Sequence, residues 1–243
     1  MNPKNRPAYQ REPASLSGRA YALVREKILR GEIAPGAALS RRKLAAEYGM
    51  SFLPVSEALQ RLEQEGLIES RPRVGTRVRV PTAQDIRDCY ILREALECQA
   101  ARLFAEKASS RERDEMRRMA VQLDAMLFRV FSRPSNSDGQ FDAGSYHVAF
   151  HLRVAECAGS AALAEAIEKA HILTFNWLVD VSARFKNPPG RHTELMKALC
   201  GSSPAAAERA MRRHISYGLE KVQAAVAGAL QAGTAAGIRT RVR

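Results

Sequence analysis

The stretch Gly49-Met50-Ser51-Phe52-Leu53-Pro54-Val55-Ser56-Glu57-Ala58-Leu59-Gln60-Arg61-Leu62-Glu63-Gln64-Glu65-Gly66 decides the fold of the first third of the chain. Gly49-Met50-Ser51 makes a tight turn into a helix, Phe52 to Glu65, that Gly66 closes. Pro54 sits in its first turn, where a missing N–H costs nothing. On the N-terminal side, Ser40 caps a short helix through Tyr48, with Leu44 and Ala45 facing inward. Before it, Ile33-Ala34-Pro35-Gly36 is a turn. From Gly18 to Arg30 the apolar positions Tyr21, Leu23, Val24, Ile28 and Leu29 recur at helical spacing, and Gly31 stops the run. On the C-terminal side, Leu67-Ile68-Glu69 and Thr76-Arg77-Val78-Arg79-Val80 alternate around Arg71-Pro72-Arg73-Val74-Gly75, as a two-stranded wing would. Three helices and a wing predict a winged helix-turn-helix, whose third helix enters the major groove of DNA and whose wing lies against the backbone.

The charge points the same way. The chain has 243 residues with 46% hydrophobic and 26% charged, an ordinary globular composition, but a formal net charge of +12. Such a surplus suits a polyanion, either nucleic acid or an anionic membrane surface. Residues 1–81 hold 15 Lys/Arg against 8 Asp/Glu, net +7. Residues 82–243 hold 23 against 18, net +5, and three of those positives are Arg239, Arg241 and Arg243 at the tail. The basic excess is therefore concentrated in the small N-terminal part.

Several classes drop out. No window approaches 18 uninterrupted apolar residues, so no membrane span is expected. Met1 to Ser17 is polar and Pro-rich, which predicts a disordered arm and no signal peptide. Cys89, Cys98, Cys157 and Cys200 lack C-x-x-C spacing and read as reduced thiols of a cytoplasmic protein.

Residues 18–80 resemble the GntR family of bacterial transcription regulators. The likeness is carried by Gly31-Glu32-Ile33-Ala34-Pro35-Gly36, Leu44-Ala45, Pro54-Val55, Glu57-Ala58-Leu59, Arg61-Leu62, Glu65-Gly66-Leu67-Ile68 and Gly75-Thr76. The family's recognition helix usually opens Ser-Arg-Thr-Pro-Val-Arg-Glu-Ala-Leu. This chain has Phe52 and Ser56 in place of the two arginines and Leu53 in place of the threonine. In the family those arginines contact DNA, and an Arg fork is the commonest reader of guanine. Three readings follow. The operator differs, with Phe52 or Leu53 on thymine methyls and Ser56 on phosphate. Or binding leans on Arg41, Arg42, Lys43, Arg73 and Arg77 with less base discrimination. Or the site has decayed, or pairs with another protein. The surviving basic surplus favours the first two together. The candidate DNA contacts are thus Arg41, Arg42, Lys43, Ser51, Phe52, Leu53, Ser56, Arg73, Gly75, Thr76 and Arg77.

From Asp85 onward the pattern is helical. Ile86–Lys107 carries Ile86, Tyr90, Leu92, Leu96, Ala100, Leu103 and Phe104. Arg111–Phe131 follows, with Arg133–Gly139 as the clearest loop, then helices at about 142–157, 160–185, 190–200 and 204–232. No strand pattern competes, so the expectation is mainly α: the winged helix-turn-helix, then an antiparallel all-helical bundle. The expected boundaries are 1–17 for the arm, 18–81 for the DNA-binding domain, 82–236 for the bundle and 237–243 for the basic tail.

All five histidines fall in this half: His147, His151, His171, His192 and His214. His147 and His151 are four apart and share one helix face, so both can reach one metal ion. Taken alone, such a pair is more often a surface or core pair than a ligand set. This half also resembles FCD, the ligand-binding domain of the FadR-type branch of GntR regulators. The likeness is carried by Leu92-Arg93-Glu94-Ala95-Leu96-Glu97, Phe150-His151, His192-Thr193-Glu194-Leu195 and Arg213-His214. In metal-binding members an Asp four residues before the Phe-His histidine joins three histidines around one divalent ion. The resemblance puts those three at His151, His192 and His214, and His147 at the aspartate position. A four-histidine set favours Zn²⁺, Ni²⁺ or Cu²⁺ over Mg²⁺ or Ca²⁺, with Zn²⁺ first and Ni²⁺ next. Ser160 stands where the family often has Asn. Arg93 is a candidate to hold an effector carboxylate, or else a helix-surface arginine paired with Glu97. His171 and Trp177 read as packing residues.

The resemblance implies a homodimeric, metal-dependent regulator binding a palindromic operator and released by a small carboxylate effector. The opposing reading is a helical-bundle hydrolase using the same histidines to activate water, although no His-Glu-x-x-His arrangement supplies its base. A structural histidine cluster without metal is the third.

Overall fold

Ser15 accepts a hydrogen bond from the Gly18 N–H and starts α1, Leu16–Leu29, which buries Ala20, Tyr21, Val24, Ile28 and Leu29. The computed structural model describes residues 15–80, 82–132, 137–169 and 190–231, which form two compact units divided after Val80. Helix α1 thus starts before Gly18, and Ser15, Leu16 and Ser17 belong to it and its cap, not to a disordered arm. The rest of the arm, 133–136, His171, Trp177 and the basic tail lie outside the described residues.

In the first unit α2, Arg41–Tyr48, is capped by Ser40 at its start and by Gly49 at its end. Gly49 takes φ 61°, a left-handed conformation that most side chains resist. Helix α3, Phe52–Gln64, buries Val55, Ala58, Leu59 and Leu62 along one stripe against α1. Glu65 ties the two helices together: the Tyr21 hydroxyl donates to both its carboxylate oxygens, at 2.7 and 2.8 Å. A three-stranded antiparallel sheet of order β1-β3-β2 completes the unit, from β1 Ala38–Leu39, β2 Ile68–Arg71 and β3 Gly75–Val78. The two-residue β1 is an addition to the expected wing, too short to show alternation in sequence.

The second unit is all helical among the described residues. Its elements are α4 Ala83–Lys107, α5 Ser110–Ser132, α6 Ser137–Cys157, α7 Ala161–Lys169, α8 Arg191–Leu199 and α9 Pro204–Gln231. Thr82 and Asp85 form a reciprocal capping box at the start of α4. Helix α9 packs along α4, while α5 packs on α6 and α8. Phe104, Met116, Leu123, Phe150, Met196, Leu199 and Met211 fill the core between them. Two expectations are corrected. Residues Ser137–Gly139 open α6 where a loop was expected, because Ser and Asp suit a helix start as well as a turn. Leu92, placed on the apolar stripe of α4, stands exposed beside Ile91.

Candidate metal centre and nucleic-acid interface

Four histidines from three helices converge in the bundle. His147 and His151 come from successive turns of α6, His192 from the first turn of α8 and His214 from α9. One ring nitrogen of each lies within 4.8 Å of the other three. The Nε2 atoms of His147 and His151 are 3.0 Å apart. His151 and His192 are buried, and His147 and His214 partly so.

Behind two of these rings stand carboxylates, on the side away from the cluster. His192 Nδ1 lies 2.8 Å from Oδ1 of Asp124, on α5. Asp124 also accepts from the backbone N–H groups of His192 and Thr193, at 3.1 and 2.9 Å, and from the Thr193 hydroxyl at 2.8 Å. Gly190, at the N-cap of α8, has no side chain to satisfy those first-turn donors, so Asp124 caps the helix from across the bundle and aims His192 at once. Burial alone would raise the Asp124 carboxyl, but these bonds outweigh it and hold its pKa at about 2. With Nδ1 engaged, His192 Nε2 is left buried with no hydrogen-bond partner among the described residues.

His151 Nδ1 lies 2.7 Å from Oε2 of Glu97 on α4, and Arg93 Nε donates to Oε1 of the same carboxylate at 2.7 Å. Burial raises the Glu97 carboxyl, yet the Arg93 cation and His151 together hold it at about 2. Arg93 is thus paired with Glu97, but at 2% exposure it is an interior residue and not a surface one.

The chemistry of this set fits a divalent ion. Burial, reinforced by the neighbouring imidazoles, holds His147 and His214 well below the ordinary 6.5, and burial lowers His192 also. Neutral rings present lone pairs, as ligands must. A carboxylate behind a ring fixes its tautomer and raises the basicity of the opposite nitrogen. Four ring nitrogens within 4.8 Å of one another are near enough for His147, His151, His192 and His214 to hold one ion together. Asp124 and Glu97 are the residues that sequence reading did not place here. The one available sign was the lack of a capping side chain at Gly190.

In the first unit Arg42, Lys43, Ser51, Phe52, Leu53, Arg73, Gly75 and Arg77 are exposed, and Arg41 is half-buried. Arg73 adopts φ 64° at the tip of the β2–β3 hairpin, a conformation costing a non-glycine residue about 1–2 kcal/mol. One expected contact is corrected. Thr76 is 4% exposed, because alternation along β3 turns it inward, where its hydroxyl meets Ser70 at 3.1 Å. The half-exposed Ser56 donates its hydroxyl proton to the Phe52 carbonyl at 2.9 Å.

Residues 16–78 match the family described as "Bacterial regulatory proteins, gntR family", and residues 88–217 match the FCD domain. Over 195 residues the chain is 29% identical to the "Probable D-xylose utilization operon transcriptional repressor" of Paenarthrobacter nicotinovorans, covering 78% of this chain and 81% of that one. It is 24% identical over 209 residues to the repressor RspR of Escherichia coli K12, covering 84% and 87%. The solved structure of a GntR regulator from Rhodococcus sp. RHA1 superposes with a TM-score of 0.68 at 26% identity, over 86% of this chain and 98% of that one. These relatives are regulators, and none of them lends support to a hydrolase. Among the described residues no helix is long and apolar enough to cross a membrane. The chain belongs to the GntR family of transcriptional regulators, in the branch that joins a winged helix-turn-helix to an FCD domain.

Proposed function

We propose that this chain is a cytoplasmic, homodimeric repressor whose hold on a palindromic operator is set by a small carboxylate bound at a divalent metal, Zn²⁺ or next Ni²⁺, in the FCD bundle. The observation that carries the reading is the four-histidine cluster backed by Glu97 and Asp124. His147, His151, His192 and His214 would hold the ion, which when bound supplies a Lewis-acidic position for an oxygen donor. Glu97 and Asp124 fix the tautomers and aim of His151 and His192. Arg93, held at Nε by the same Glu97 that backs His151, is the residue proposed to face the effector's carboxylate. Repression is the sense of regulation carried by the names of two relatives.

In the first unit α3 would enter the major groove while Arg42, Lys43, Arg73 and Arg77 meet phosphates. A homodimer follows from the two-fold symmetry of a palindromic site. For the effector to act as a switch it must favour one arrangement over the other, typically changing operator affinity about 5–150-fold.

The test is enrichment of genomic DNA fragments by the tag-free chain, followed by release with a panel of small carboxylates. The panel is run on metal-loaded protein and on protein stripped with a chelator. Fragments should be enriched, and release should need the metal. No enrichment would refute the regulator reading, and equal release from stripped protein would refute the metal step.

A further inference from the structure

The first turn of α3 is apolar where it faces outward. Phe52 is 59% exposed and Leu53 66%. Pro54 and Val55 behind them are buried, which fixes the rotation of the helix and leaves the Phe52–Leu53 edge in water. Ser56, one turn on from Phe52, spends its hydroxyl proton on the Phe52 carbonyl. This turn therefore offers base edges neither a guanidinium nor an amide. The apolar group that a major groove presents is the thymine C5-methyl.

We propose that the tip of α3 reads thymine through that methyl group, so that T·A pairs specify the operator bases facing Phe52 and Leu53. The inference rests on the operator-binding reading above and names what the operator contains. Charge complementarity selects the occupant. Arg42, Lys43, Arg73 and Arg77 stand exposed in the same unit, and residues 1–81 carry a net +7, which suits a polyanion and not an apolar protein surface. The basic side chains supply affinity along the backbone, and the two apolar side chains supply the discrimination.

The experiment selects sites for the full chain from a random duplex library. Winning sites are remade with deoxyuridine for thymidine at each fixed position, and affinities are read by fluorescence anisotropy at one salt concentration. The selected half-sites should fix thymine, and each lost methyl should weaken binding about fourfold, the worth of burying one methyl-sized group. The Phe52→Ala/Leu53→Ala double variant, its fold checked by circular dichroism, should bind the two duplexes equally. Sites fixed by guanine, indifference to deoxyuridine, or a penalty that persists in the double variant each overturn the inference while DNA binding stands. Failure to bind any duplex overturns the operator reading too, and with it would turn the Phe52–Leu53 edge toward a protein partner.

Discussion

The residues read as departing from the family pattern lie in contrasting surroundings in the two units. In the DNA-binding unit the departures are Phe52, Leu53 and Ser56, of which the first two stand in open water. In the bundle the departure at the candidate metal centre is His147, which sits among three other histidines. An exposed position can change without disturbing the fold, since the stripe Val55, Ala58, Leu59 and Leu62 holds α3 whatever its tip carries. A partly buried position inside such a cluster is answerable to every neighbour. With histidine at 147 the cluster itself carries no carboxylate at that position, and Glu97 and Asp124 stand behind the rings and not among them. On the proposed function, the surface positions would redirect specificity and the interior one would alter the chemistry of the site.

That contrast can be broken most severely at Glu97. Glu97→Gln leaves the buried Arg93 guanidinium without its counter-charge, and the bundle should lose about 3–5 kcal/mol, read by denaturant unfolding. A loss under 1 kcal/mol would mean that the interior tolerates change as the surface does. Asp124→Asn keeps volume and a carbonyl acceptor but weakens the hold on His192. Metal affinity, measured by competition with a chelating dye, should fall about 10–100-fold.

The pH dependence of the metal-free bundle comes next. His147, His192 and His214 have folded pKa values below the ordinary 6.5, so below that pH the unfolded chain binds more protons than the folded one. Stability is therefore kept above 6.5 and lost as pH falls toward the folded values. The melting temperature should drop between about pH 7 and pH 5.5. Bound metal should flatten the upper part of that decline, because it holds the rings deprotonated. The smallest effect belongs to the surface: Phe52→Ala should shift stability by no more than about 0.5 kcal/mol. A larger loss would show that Phe52 packs within the unit.

The same contrast explains what could be read from the sequence. Caps and breakers marked α2 and α3 closely: Ser40, Gly49 and Gly66 act locally, and so are legible locally. The start of α6 was missed because Ser137 and Asp138 serve a helix start and a loop alike. Strand β1 was missed because two residues carry no period. The histidines were found, three of them as family positions and the pair on α6 by its spacing. Asp124 and Glu97 were not, because each reaches its histidine across more than 50 positions of chain. Thr76 was placed on DNA by its slot in the wing, and the pleat of β3 decided otherwise.

On this reading the four histidines make one divalent-metal centre. The direct measurement is the metal content of the tag-free chain after Zn²⁺ loading and desalting, for the native sequence and for His192→Ala. One ion per chain in the native protein, lost in the variant, is the predicted result. No bound ion, or equal loading of both proteins, would contradict it.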